Sequence, residues 1–233
     1  MSEHPNPSKD IRAMPAYTIA DVAHYLHVPP ATIRYWSVGQ KHHKPLIAIP
    51  KKPRTALLSF YNFAELHILA TIRRHHKIAM ASVRSALDHL LLDRDAQSPM
   101  EREHPLISDS FSTDGKDLFV EKYGDLINVS RRGQVAMRET IEGALQRIAY
   151  GEDSKPVTVY PFTSSSRQDS PRIIIVNPYI SSGHPIIEGT GITTHVIAER
   201  YKAGESIKDL MRDYNCKTEQ IEEAIRCEFP VAA

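Results

Sequence analysis

Cysteine is scarce: the 233 residues hold two, Cys216 and Cys227, late in the chain and outside any CxxC pattern. That scarcity excludes a disulfide scaffold or a cysteine-built zinc centre and leaves two small buried side chains in a reducing compartment. Long apolar runs are missing too, since none approaches the ~20 residues that span a bilayer. Residues 1–16 are polar and proline-containing, without the apolar centre of a signal peptide. A soluble, cytoplasmic protein with a disordered tail over 1–16 is therefore expected. Gly189-Thr190-Gly191 lacks the lysine and helix register of a phosphate loop, and no nucleophile stands near a base in a known pattern. His24 and His27 share a helix face, and His42-His43 and His75-His76 are pairs, but none has further ligands at metal-site spacing. No enzyme, cofactor or metal is expected.

One further absence is informative. Between Asp21 and Glu65 there is no carboxylate, while Arg34, Lys41, Lys44, Lys51, Lys52 and Arg54 supply six cations. Residues 1–92 hold 12 Lys and Arg against 5 Asp and Glu (net +7), and residues 93–233 hold 17 against 23 (net −6), together the +1 of the whole chain. The near-neutral total conceals a basic front, the footprint expected of a polyanion binder.

Inside that front, TIADVAHYLHVPPATIRYWSVG (18–39) reads as two short helices. Thr18 and Asp21 make a capping-box start, and Ile19, Val22, Ala23 and Leu26 recur at helical spacing up to Val28. Pro29 and Pro30 stop that helix, and Pro30 suits the first position of a second one ending at Gly39. Ile33 and Trp36 would pack inward, leaving Thr32, Arg34 and Tyr35 facing a major groove. Leu46 to Ile49 and Ala56 to Tyr61 predict a hairpin with a basic tip, able to lie along a DNA backbone or minor groove. Asn62 with Glu65 predicts a helix through about Arg74, and another follows from about Met80. The candidate DNA-contacting residues are Thr18, Thr32, Arg34, Tyr35, Lys41, Lys44, Lys51, Lys52 and Arg54.

Over roughly residues 17–92 this order of elements resembles the winged helix-turn-helix of MerR-type regulators. The likeness rests on TIADVAHYLHVPPATIRYW, LLSFYNFAEL and KIAMASVRSAL. It implies that Arg34 and Tyr35 occupy the family's Arg-Tyr pair, which braces the recognition helix and touches phosphates. Pro29 replaces the usual Ser or Thr cap, and Gln40 to Pro53 is longer than the usual wing.

Residues 93–104 read as a charged linker. In the middle segment, 105–162, Ser110 to Thr113, an Asp114-Gly115 turn, Leu118 to Glu121 and Leu126 to Ser130 predict a three-stranded meander. A helix over Gln134 to Tyr150 follows, with Met137, Ile141, Ala144, Leu145 and Ile148 on one stripe, then a strand over Val157 to Phe162 and a serine-rich break. From 171 to 229, strands over Arg172 to Val176 and His184 to Glu188 precede helices over Thr193 to Ala203, Ser206 to Tyr214 and Thr218 to Glu228. Gly204, Ser206 with Asp209, and Thr218 punctuate them. The whole is expected to be mainly α with small β elements, ending in a trihelical, helix-turn-helix-like module.

The last segment resembles the domain-of-unknown-function family numbered four hundred and thirty-three, many members of which are antitoxins. Gly183, Pro185, Ile187, Gly189, Thr190, Ile192, Ala203, Gly204 and Ser206 match its fingerprint, and Gly191 stands where the family has Arg. A basic winged reader ahead of such a module resembles one subgroup of VapB-type antitoxins. The resemblance implies an antitoxin of a type II toxin–antitoxin pair that represses its own operon and blocks a toxin, a PIN-type ribonuclease. Residues 199–228 hold 8 carboxylates against 6 cations, which disfavours phosphate there and favours dimerisation or a basic polypeptide. A homodimer is expected, because paired operator half-sites need two readers. The alternative is a MerR-like regulator answering a small molecule through its middle segment.

Overall fold

The computed structural model describes residues 10–40, 43–50, 56–75, 80–93, 98–127, 130–163 and 170–229. Among them the chain is mainly helical, with three two-stranded antiparallel sheets. In the front part, β1 (Tyr17–Thr18) leads into α1 (Ile19–Tyr25) and α2 (Pro30–Ser37). After β2 (Leu57–Leu58) come α3 (Phe60–His75) and α4 (Met80–Asp93). A short helix, α5 (Pro99–Glu103), and a π-helical turn over Phe111–Gly115 run into α6 (Lys116–Ile127) and α7 (Arg131–Leu145). The strands β3 (Ile148–Tyr150) and β4 (Pro156–Val159) pair, as do β5 (Ile174–Ile175) and β6 (Ile186–Ile187). Last come α8 (Thr194–Lys202), α9 (Ile207–Tyr214) and α10 (Thr218–Glu228).

The centre of the larger core is α3, buried without a break from Phe60 to Ile72. A helix buried on every side must partner its polar groups, and here Glu65 meets His104 Nδ1 (2.9 Å) and Thr71 Oγ1 donates to His67 O (2.8 Å). Its start is fixed by a reciprocal cap: Ser59 N–H donates to Asn62 Oδ1 (3.0 Å) and Asn62 N–H to Ser59 Oγ (3.2 Å). The helix thus begins at Phe60, three residues earlier than an Asn62 cap would place it. α7 packs on α3, and α6 joins α4 to α7. One continuous apolar cluster consequently runs from Tyr17 to Val176. A smaller one, centred on Ile187, Ile197, Leu210 and Ile221, belongs to β5, β6, α8, α9 and α10.

Four expectations are corrected. The meander expected over Ser110 to Ser130 is helical from Phe111 to Ile127. Phe111, Gly115, Phe119 and Tyr123 fall four apart and are all buried, a helical stripe that overrides the turn signal of Asp114-Gly115. The linker over 93–104 carries α5, whose capping box is Ser98 with Glu101. The helix expected to reach Tyr150 ends at Leu145, and Ile148–Tyr150 turns into β3, where Ile148 faces Val159. Finally, the hairpin does not form among the described residues. Leu57–Leu58 pairs instead with Tyr17–Thr18, and Leu46 N–H donates to Trp36 O (2.7 Å).

The front end is also tied down. Residues 1–9 lie outside the described residues, but Arg12, expected in the tail, is buried. It donates to both Asp10 oxygens and to Asp153 in the β3–β4 turn. Further along, Phe162 is stacked on His67 (centroids 5.4 Å apart) and faced by Arg147 (4.3 Å) and Arg74 (5.7 Å). Arg147 spends its donors on the carbonyls of Tyr160, Ser170, Pro161 and Pro171. Burial lowers its pKa to about 10.

Candidate nucleic-acid interface and its junction with the rear module

The geometry of α1 and α2 follows from their caps. Thr18 Oγ1 accepts from Asp21 N–H (3.1 Å) and Asp21 Oδ2 from Thr18 N–H (2.8 Å), so both first-turn donors are satisfied. α1 ends earlier than its apolar pattern suggests, and His27 turns the chain with a positive φ of 51°. Pro29 caps α2 without a side-chain acceptor, and Pro30 occupies its first turn. Ile33 and Trp36 are fully buried against the rest of the front, which fixes the opposite face of α2 outward.

On that outward side Arg34 is exposed and makes no ion pair among the described residues, while Thr32 is half-buried. Tyr35 is half-buried: His43 meets its ring edge-on (centroids 6.0 Å apart) and the Arg84 guanidinium lies 5.8 Å from its centroid. Arg84 Nη2 also donates to Lys44 O, while the Lys44 side chain is exposed. Thr18 is exposed but engaged as the α1 cap. Lys41, Lys51, Lys52 and Arg54 lie outside the described residues. The structure therefore brings Tyr35, His43 and Lys44 together with Arg84 of α4, while Arg34 stands exposed on α2. Arg84 stands 49 residues beyond Tyr35, so no local spacing signals it.

The other side of α1 meets the rear module. His24 Nε2 lies 2.9 Å from Glu228 Oε2, Tyr25 Oη 3.1 Å from His184 Nδ1, and His27 Nε2 3.1 Å from Cys227 O. Glu228 also accepts from Thr194 of α8. The hydrogen bond to Glu228 raises the His24 pKa, whereas burial lowers that of His27. These two histidines meet a carboxylate and a carbonyl, and among the described residues no group of three or more His, Cys, Asp or Glu side chains could hold a metal. Gly183 presses closest: a Cβ there would sit 2.2 Å from Tyr17 Oη. Behind the seam, Arg200 links α8 to Glu205 (2.7 Å) and Asp213 (2.6 Å) and lies 5.0 Å from the Tyr214 ring centroid. No helix among the described residues is long and apolar enough to cross a membrane.

This architecture has known counterparts. Residues 174–226 match the family described as "Protein of unknown function (DUF433)". Along nearly its whole length the chain is similar to a protein of Mycobacterium tuberculosis (strain ATCC 25618 / H37Rv) named "Putative antitoxin VapB45". The two are 26% identical over 235 residues, which cover 91% of this chain and 93% of that one. A second protein of the same strain, named "Uncharacterized protein Rv2308", is 27% identical over 218 residues, 90% of this chain and 88% of its own. The crystal structure of Rv2018 from Mycobacterium tuberculosis superimposes with a TM-score of 0.68 at 24% identity, covering 91% of this chain and 98% of that one. The last shows a shared fold.

Proposed function

We propose that this chain is the antitoxin of a type II toxin–antitoxin pair, a non-catalytic cytoplasmic regulator. The observation that carries the reading is the end-to-end likeness to a protein named as an antitoxin, together with the DUF433 match over the rear module. In this reading residues 17–92 form a MerR-like helix-turn-helix domain, without the local hairpin among its described residues, that holds operator DNA and represses the chain's own operon. Arg34 and Lys44, exposed members of a six-cation stretch without a carboxylate, meet the phosphates. Tyr35, gripped by His43 and Arg84, braces α2. Thr18, Thr32, Lys41, Lys51, Lys52 and Arg54 complete the contact set.

The rear module, 171–229, joins two copies and binds the toxin, a PIN-type ribonuclease. Its surplus of carboxylates suits polypeptide better than phosphate. If each protomer makes about three phosphate contacts, affinity for promoter DNA falls about a thousandfold between 50 and 200 mM salt. Fluorescence anisotropy across that range, with pull-down of the neighbouring gene product by the tagged full chain, tests the reading. Salt-insensitive binding, or no captured partner, contradicts it.

A further inference from the structure

Where α1 meets the rear module, a cavity of about 630 Å³ opens beside the His24–Glu228 contact. Its size is in the range that takes a small organic ligand, and a junction between two packed units is a usual place for such a site. The walls are unusual in charge. Asp21, Glu199 and Glu228 all line the cavity, and among the described residues neither Lys nor Arg does. Three carboxylates share the lining with the imidazoles of His24, His184 and His195, so it stays negative unless all three rings are protonated, and a low-dielectric cleft of one sign concentrates ions of the other. Glu228 is already engaged by His24 and Thr194. Asp21 commits one oxygen, Oδ2, to a backbone N–H, and among the described residues Glu199 meets an exposed lysine 3.6 Å from Oε1, so both keep oxygens for a guest. Ala20, Ala198, Tyr25 and Phe229 add apolar and aromatic residues to the lining. An aromatic face attracts an ammonium as well as an apolar body.

We propose that this cavity binds a small organic amine, an ammonium group carried on an apolar body, and that its occupancy reports to the front of the chain through α1. One wall belongs to α1 and the others to the loop before β6, α8 and α10. A bound amine bridges the two units, so occupancy and their separation are linked reciprocally. The site lies outside the middle segment, and its binding is measured without DNA or toxin. It stands or falls independently of the antitoxin reading.

The test uses the purified full chain and two isosteric probes, 4-phenylbutylamine and 4-phenylbutyrate, followed by calorimetric titration and by NMR of the histidine ring protons. The amine is expected to bind saturably at least about tenfold tighter than the acid and to shift the His24 and His195 signals. Ala20→Trp, at an exposed wall position, and Glu199→Gln, at an exposed carboxylate, are each expected to weaken the amine by about tenfold. Circular dichroism identical to wild type certifies that both variants fold. Equal affinity for amine and acid overturns the proposal. So does saturable binding indifferent to both substitutions, or no saturable binding of the amine at millimolar concentration.

Discussion

His24 of α1 and Glu228 at the end of α10 stand 204 positions apart in the chain and 2.9 Å apart in the fold. The contact ties the segment that carries the candidate DNA-reading residues to the module that matches DUF433. Its strength depends on pH with a definite sign. The His24 pKa is raised by its hydrogen bond to Glu228, so its contribution is full below about 6.5 and is lost as pH rises through the raised value. Burial alone would raise the Glu228 pKa, but the bonds from His24 and Thr194 prevail and lower it, so its contribution holds above about 4.5 and is lost in stronger acid. A double-mutant cycle with His24→Gln and Glu228→Gln is expected to give a coupling of about 0.5–1 kcal/mol at pH 5.5, discounted because His24 is partly solvated. At pH 8.5 the coupling should shrink. Urea unfolding of the four proteins at both pH values measures it.

His67 works the opposite way. Fully buried, with Arg147 and Arg74 near, it has a pKa lowered to about 3, chiefly by desolvation. The unfolded chain takes up a proton near pH 6.5 that the folded chain refuses, so stability declines as pH falls from there toward about 3. The slope from this one group is about 1.4 kcal/mol per pH unit. His67→Phe keeps the stack on Phe162 and should remove that share of the acid sensitivity, seen as a flatter dependence of the urea midpoint between pH 6 and pH 4.

Tyr17 Oη is buried without a hydrogen-bond partner among the described residues, in the spot that a Gly183 side chain would need. Tyr17→Phe is therefore expected to be neutral or to stabilise by up to about 1 kcal/mol, since it removes an unsatisfied hydroxyl. Gly183→Ala places a Cβ into that hydroxyl at a φ of +80°, and should cost more than about 1 kcal/mol. Adding Tyr17→Phe to Gly183→Ala should recover the steric part and leave the backbone part. Thermal unfolding of the three variants separates the two.

Arg12 clasps the front of the chain to the β3–β4 turn through Asp10 and Asp153 and lies over Tyr61. Arg12→Ala is expected to cost about 1–3 kcal/mol, because it strands carboxylates that the guanidinium now satisfies. Arg12→Lys should recover only part, for an ammonium cannot serve both carboxylates in planar fork geometry. Chemical denaturation midpoints decide the order.

The ends of the chain are more legible in the sequence than its middle, for reasons visible in particular residues. Thr18 with Asp21, Pro30, and Ser206 with Asp209 are local signals whose partners lie within three positions, and α1, α2 and α9 start where those signals stand. α8 and α10 fall within a residue or so of the spans that the rear sequence suggests. Between Ser110 and Ser130, aromatics four apart compete with β-favouring residues and an Asp-Gly pair, and packing of α6 against α4 and α7 decides for the helix. The pairing of β2 with β1 across 40 positions replaces the expected local hairpin, and two-residue strands carry too little periodicity to announce it. Least legible is the seam itself. His24 and His27 invite a metal reading because their partners, Glu228 and the Cys227 carbonyl, belong to the far end of the chain.

The division of labour along the chain is tested most directly by reversing charge at Arg34 and Lys44 together and measuring two affinities of the same protein. Arg34→Glu/Lys44→Glu is expected to lose promoter DNA and to show a lower salt slope by about one per phosphate contact removed, while still capturing the neighbouring gene product. Retained DNA affinity, or loss of the polypeptide along with the DNA in a protein that still folds, would contradict the account.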